Sequence, residues 1–83
     1  MSDLLREDGR FKGGDLTVAV TVRVTSQFGQ MVAESSLREL VVGSDMACID
    51  GGDGVMRHVD VLGDRARDAV AAQLRSLLAR EQA

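Results

Sequence analysis

The sequence predicts an α+β fold: an antiparallel β-meander of three to four strands with one C-terminal amphipathic helix packed across one face, a two-layer sandwich. Three observations carry this expectation. Leu16 to Thr25 alternates large aliphatic residues with Thr, Ala and Arg, the period-2 signature of a half-buried strand. Asp50-Gly51-Gly52-Asp53-Gly54 separates two short apolar runs and has the composition of a hairpin tip. Arg65 to Ala83 contains neither proline nor glycine and repeats apolar residues at helical spacing.

Taken in order, residues 1–15 are polar and punctuated by Gly9, Gly13 and Gly14, and are expected to form a flexible arm with Leu4, Leu5 and Phe11 tacked onto the core. The sheet is expected over 16–61. In the first strand Leu16, Val18, Val20, Val22 and Val24 should share the buried face, with Thr17, Thr21, Arg23 and Thr25 on the other. Ser26-Gln27-Phe28-Gly29 supplies a reversal, after which 30–42 should pair back as the second strand. Neither parity of that segment is clean. A bulge at Ser35-Ser36 would let Met31 and Ala33 be followed inward by Leu40 and Val42. The competing reading is a short helix capped by Ser36, since Ser36-Leu37-Arg38-Glu39 fits a capping box.

A second hairpin is expected from Met46–Ile49 and Val55–Val61 about the glycine tip, burying Met46, Cys48, Val55, Val59 and Val61. Gly63 then ends the sheet and Asp64 caps a helix over 64–82. That helix should bury Ala66, Ala69, Val70, Leu74, Leu77 and Leu78, with Asp68, Ala72, Arg75 and Ala79 opposite.

Composition narrows the function classes. Eighty-three residues make one domain, with a thin stability margin. With one cysteine, Cys48, and one histidine, His58, no internal disulfide can form and the usual disulfide or metal staples of a small chain are scarce, so extra stability is expected from association with another copy or a partner. The net charge is −3, and the ten basic residues are dispersed without a polybasic run. Phe11 and Phe28 are the only aromatic residues, too few for stacking on single-stranded nucleic acid. No apolar stretch reaches the roughly 20 residues of a bilayer span, and Asp3, Arg6, Glu7 and Asp8 do not suit a signal peptide. A cytoplasmic protein of prokaryotic or phage origin is expected.

Asp45, Cys48, Asp50, Asp53, His58 and Asp60 crowd into sixteen residues and invite a cysteine-hydrolase or metal reading. The expected hairpin register opposes it, placing Cys48 and His58 on opposite faces and making Cys48 a core thiol. Asp45 and His58 would be cross-strand neighbours, which supplies an ion pair more simply than a metal site. No cofactor is expected. The residues expected on an interaction surface are Thr17, Thr21, Arg23 and Thr25 of the first strand together with Arg57 and His58.

The resulting expectation is a non-enzymatic protein-interaction module that forms a homodimer and binds or blocks a macromolecular partner, in the manner of a phage-type inhibitor or a small assembly protein. A nucleic-acid-binding protein using Arg6, Arg10, Lys12, Arg23 and Arg57 is the first alternative. A small metal- or cysteine-dependent enzyme around Asp45, Cys48, His58 and Asp60 is the second.

Overall fold

The chain folds as one antiparallel hairpin with a single long helix laid along one of its faces. The computed structural model describes residues 3–82, and of 47–49 and 82 only the backbone. Strand β1 spans Leu16–Thr25 and strand β2 spans Met31–Val41. A 3-10 helix over Ser44–Ile49 leads to helix α1, Asp53–Gln82.

In β1 the alternation holds along the whole strand: Val18 is buried, Val20, Val22 and Val24 are half-buried, and Thr17, Ala19, Thr21, Arg23 and Thr25 are exposed. The register runs without interruption from Leu16 opposite Val41 to Val24 opposite Ala33, with its one irregularity between Val24 and Thr25, beside the turn. The expected bulge at Ser35-Ser36 is therefore corrected, as is the helical alternative for this segment. Odd parity persists through β2, so Ala33, Ser35, Leu37 and Val41 turn inward while Leu40 and Val42 remain exposed. The outer-face pairs explain this register. Thr21 and Ser36 share a hydroxyl hydrogen bond of 2.7 Å, and Arg23 Nε donates to Glu34 Oε2 at 2.7 Å, so a shift would break both complementary pairs.

The far end of the hairpin is closed by a side chain. Ser44 Oγ accepts from the Leu16 N–H at 2.7 Å and donates to the Val41 carbonyl at 2.6 Å, so a hydroxyl bridges the last strand pair. Ser44 is 6% exposed and is the one buried polar residue among those described. Gly43, at φ 82°, provides the left-handed step that swings the chain from β2 into the 3-10 helix.

The further strands expected over 46–61 are absent among the described residues. Asp50-Gly51-Gly52-Asp53-Gly54 starts a helix instead of tipping a hairpin. The Asp50 carboxylate accepts the N–H groups of Gly52 and Gly54, each at 3.0 Å, and the Met56 N–H donates to the Gly52 carbonyl at 3.0 Å as the first helical bond. Glycines with positive φ suit a hairpin tip and this helix entry equally. The decision falls to the residues beyond, where Val55, Val59, Leu62, Ala66 and Val70 form one helical stripe. The helix boundary expected at Asp64 is corrected to Asp53, and Gly63 lies inside α1.

The core is thin. Val18, Ala33, Val41, Leu62, Ala66 and Val70 are its buried apolar residues, with Val20, Leu37, Val55 and Val59 packed against the central cluster. At the helix's C-terminal half, Leu74 and Leu77 are half-buried, while Leu78, expected inside, is exposed. Residues 3–15 close on themselves through a Leu5–Phe11 bridge and a Lys12 N–H to Leu4 carbonyl bond of 2.8 Å.

The helix entry makes a paired prediction. No atom lies within 4 Å of a Cβ built at Gly63, which is helical, so Gly63→Ala should raise stability by about 0.5–1 kcal/mol. A Cβ at Gly54 would stand 2.9 Å from Asp50 Oδ2, so Gly54→Ala should lower stability despite alanine's higher helix propensity. Urea denaturation of the two variants reads both signs.

Candidate interaction surface

The sheet leaves one whole face without a covering layer. Thr17, Thr21, Arg23 and Thr25 all lie there, as their parity requires, joined across the ladder by Glu34, Ser36, Arg38 and Leu40 of β2. The face is polar but nearly neutral. Arg23 is tied to Glu34, and the Thr21–Ser36 hydroxyl pair satisfies itself, which leaves a flat, weakly charged surface.

Its two edges differ. On the β2 side, Gln73 of α1 reaches over the sheet margin and pairs with the backbone of Glu34. Its Oε1 accepts the Glu34 N–H at 3.1 Å, and its Nε2 donates to the Glu34 carbonyl at 2.9 Å. One amide side chain thus occupies the position a neighbouring strand would take. On the β1 side none of the described hydrogen bonds covers the outward backbone groups. The sequence reading did not single out Gln73. Its signal was a polar residue falling within about 20° of Ala66 on the apolar helical stripe, where a partner must be found for it.

The structure separates the other expected residues from this face. Arg57 and His58 belong to α1, in the layer on the opposite side of the sheet, because the segment carrying them is helical and not a strand. With Glu39, Val61 and Arg65 they line a shallow cleft of about 290 Å³, where His58 Nδ1 stands 3.6 Å from Glu39 Oε1. A larger open cleft of about 350 Å³ lies between the β2 end and the start of α1, with Val42, Met46, Val55 and His58 among its walls.

The residues of the metal and cysteine readings are likewise dispersed. Asp45 sits in the 3-10 helix and is bound to Arg10, His58 faces Glu39, and Asp50 caps α1. Among the described residues no three His, Cys, Asp or Glu side chains converge as metal ligands. The expectation of Cys48 as a core thiol concerns a side chain outside those described, although its backbone lies in the 3-10 helix and not in a strand.

Asp45 instead anchors the N-terminal loop. Its carboxylate accepts from Arg10 Nη1 at 2.8 Å, its carbonyl accepts the Phe11 N–H at 2.9 Å, and the Asp15 carboxylate accepts the Gly43 N–H at 2.8 Å beside it. The Arg10 hydrogen bond holds the Asp45 carboxyl below its ordinary range, outweighing the opposing effect of burial, and Asp45 in turn raises the Arg10 guanidinium.

Comparison with protein-family models, with curated proteins and with solved structures finds no match. No described helix is long and apolar enough to cross a membrane.

Two measurements probe these contacts. Because the folded Asp45 titrates below the unfolded value of about 3.9, its contribution is present above that pH and is lost as pH falls through the depressed folded value. Arg10→Ala should therefore speed exchange of the Phe11 amide at neutral pH, with its difference from wild type closing below about pH 4. Gln73→Ala, which returns the exposed Glu34 backbone groups to water, should cost about 0.5–1 kcal/mol in urea denaturation; Gln73→Glu, which keeps the acceptor but not the donor, should recover only part of it.

Proposed function

We propose that this chain is a non-enzymatic protein-interaction module that works as a homodimer and occupies a surface on a macromolecular partner. The observation that carries the reading is its shape. The chain measures 60 × 23 × 17 Å with a radius of gyration of 17.7 Å, against about 12 Å for a compact domain of this length. It exposes 6280 Å², where a compact monomer of 8.9 kDa exposes about 4,800 Å². The difference, about 1,500 Å² per chain, is ample for a standard interface, which removes about 800 Å² from each partner.

The exposed apolar side chains support the same reading. Phe28 and Met31 near the turn, Leu40 on β2 and Val42 just beyond it, and Met56, Val61 and Leu78 on α1 all stand open, against six buried apolar residues among those described. Nucleic-acid binding is less well supported, because Arg6, Arg10, Arg23 and Arg67 are each engaged by a carboxylate. The uncovered sheet face, with Thr17, Thr21, Arg23 and Thr25, is the surface this reading leaves for a heterologous protein partner.

Sedimentation equilibrium at micromolar concentration should report about twice the 8.9 kDa chain mass, and duplex or single-stranded DNA added at physiological salt should not raise it further. A species that stays at the chain mass up to millimolar concentration would reject self-association. A salt-dependent DNA complex would favour the nucleic-acid alternative.

A further inference from the structure

We infer that two copies of this chain pair antiparallel along the free edge of β1, forming one four-stranded sheet with both helices on its aliphatic face. The inference rests on the self-association proposed above and specifies its geometry.

The edge is identified by hydrogen-bond polarity. In an antiparallel ladder a residue sends its N–H and C=O to the same side. Both groups of Glu34 go to Gln73, away from β1, so those of its opposite number Arg23 point away from β2. Alternation extends this to Thr17, Ala19 and Thr21. The turn agrees, since the Ser26 N–H, at even parity, points across to the Gln30 carbonyl at 2.8 Å. The β1 margin thus presents an uninterrupted row of donors and acceptors with Arg23 as its one charged side chain and no proline. Charge, proline and bulges are the usual guards of such an edge. The β2 margin is occupied by Gln73 at Glu34 and is guarded elsewhere by the charges of Arg38 and Glu39.

A second copy fits this edge by parity. Two identical strands related by a two-fold axis pair residues whose numbers add to a constant, and outward groups meet only when that constant is even. Every valine of one copy then lands on the same face as the valines of the other. Centred on Thr21, the pairing joins nine residues of each β1, with Val20 beside the partner's Val22 and Val18 beside the partner's Val24. Arg23 falls opposite the partner's Ala19, so no like charges meet. Each helix contacts both strands of its own hairpin, so the two would lie about two strand spacings apart, roughly 9.6 Å, inside the 8–10 Å at which helices pack.

The helices carry the same centre. His58 beside Glu39 and Gln73 beside Glu34 mark the flank of α1 that faces β2. At 100° per residue Met56 and Leu78 fall on the opposite flank, toward the β1 edge, and they are 53% and 57% exposed. Ser36, which pairs with Thr21, lies three residues along the five from Glu39 to Glu34. The same fraction of the helix from His58 to Gln73 ends at Arg67. Met56 and Leu78 stand at equal distances on either side of Arg67. A two-fold axis there sets Met56 against the partner's Leu78 at both ends of the interface and brings Arg67 to the partner's Arg67 at its centre, where the Asp64 and Asp68 carboxylates beside each guanidinium offset the like charge.

The test uses the full chain and reads both layers. Amide hydrogen exchange by NMR, at concentrations where sedimentation shows the dimer, should find the N–H groups of Thr17, Ala19, Thr21 and Arg23 slowed by at least about 100-fold relative to unstructured rates. Met56→Lys and Leu78→Glu should each weaken dimerisation by about tenfold or more, and the double variant should restore it. These positions lie about 33 Å apart along one helix, so recovery can come only from contact between copies. A dimer whose four amides exchange freely would overturn the edge pairing while leaving self-association standing. Protected amides without recovery in the double variant would overturn the centring on Thr21. A monomeric wild type would overturn this geometry together with the reading beneath it.

Discussion

A two-stranded hairpin cannot keep itself folded in water, and the rest of this molecule depends on how its one aliphatic face is covered. The cover is a stripe of α1 in which Leu62 packs with Val18 and Val41, and in which Ala66 and Val70, like Ala33 of β2, are buried. These side chains are small, and Ala66 is wholly inaccessible, so helix and sheet approach closely and bury little volume. Precision at the helix entry compensates for the thin core. Gly43, the Ser44 hydroxyl and the Asp50 carboxylate each fix one step between the end of β2 and the first turn of α1. If any step were loose, the stripe would meet the wrong parity of the strands.

β1 was legible because its two faces differ chemically at every position, so a period of two is the one pattern that fits. β2 was not, since Ser35 and Glu39 hold inward parity and Leu40 and Val42 outward parity. Its register comes from β1, through the Thr21–Ser36 and Arg23–Glu34 pairs, information that no single segment contains. The segment 53–63 misled for a different reason. Val55 and Val59 satisfy both a strand and a helix, and the glycines before them suit both. Leu62 and the awkward inward place of Arg57 in a strand were the discriminating signals. Gly63 outweighed them as a supposed terminator, although one glycine costs a helix only about 1 kcal/mol.

The same distinction governs the surface residues. Thr17, Thr21, Arg23 and Thr25 are where parity puts them, whereas Arg57 and His58 were attached to the sheet through a hairpin that does not form. Two of the carboxylates that suggested chemistry have structural partners in the fold: Asp50 serves the helix terminus, and Asp45, beside Asp15, holds the N-terminal loop to the 3-10 helix. An acidic cluster in sequence is here a set of separate caps and anchors. Gln73 shows the converse, a single unremarked amide that defines one border of the molecule.

The asymmetry between the borders decides what kind of assembly this chain can build. A two-stranded sheet open on both sides would recruit copies at both edges, and the product would be a growing ribbon, the hazard inherent in exposed strand edges. Gln73 occupies the β2 edge at Glu34 from within the chain, and Glu34, Arg38 and Glu39 place charges along the rest of it. In the proposed dimer, pairing through β1 would use the same surface on both copies and would leave outward the two β2 margins, each engaged by Gln73 at Glu34 and charged at Arg38 and Glu39. In that proposed pairing the half-buried valines of β1 would gain cover, so association and core completion would be one event and the stability of the fold would depend on protein concentration. The uncovered outer face would be doubled in the same step. Four strands carrying Thr and Ser, the Arg23–Glu34 pairs, Arg38 and the exposed Leu40 would then offer a heterologous partner a flat platform about twice as wide as one chain provides, with the aliphatic interior committed elsewhere.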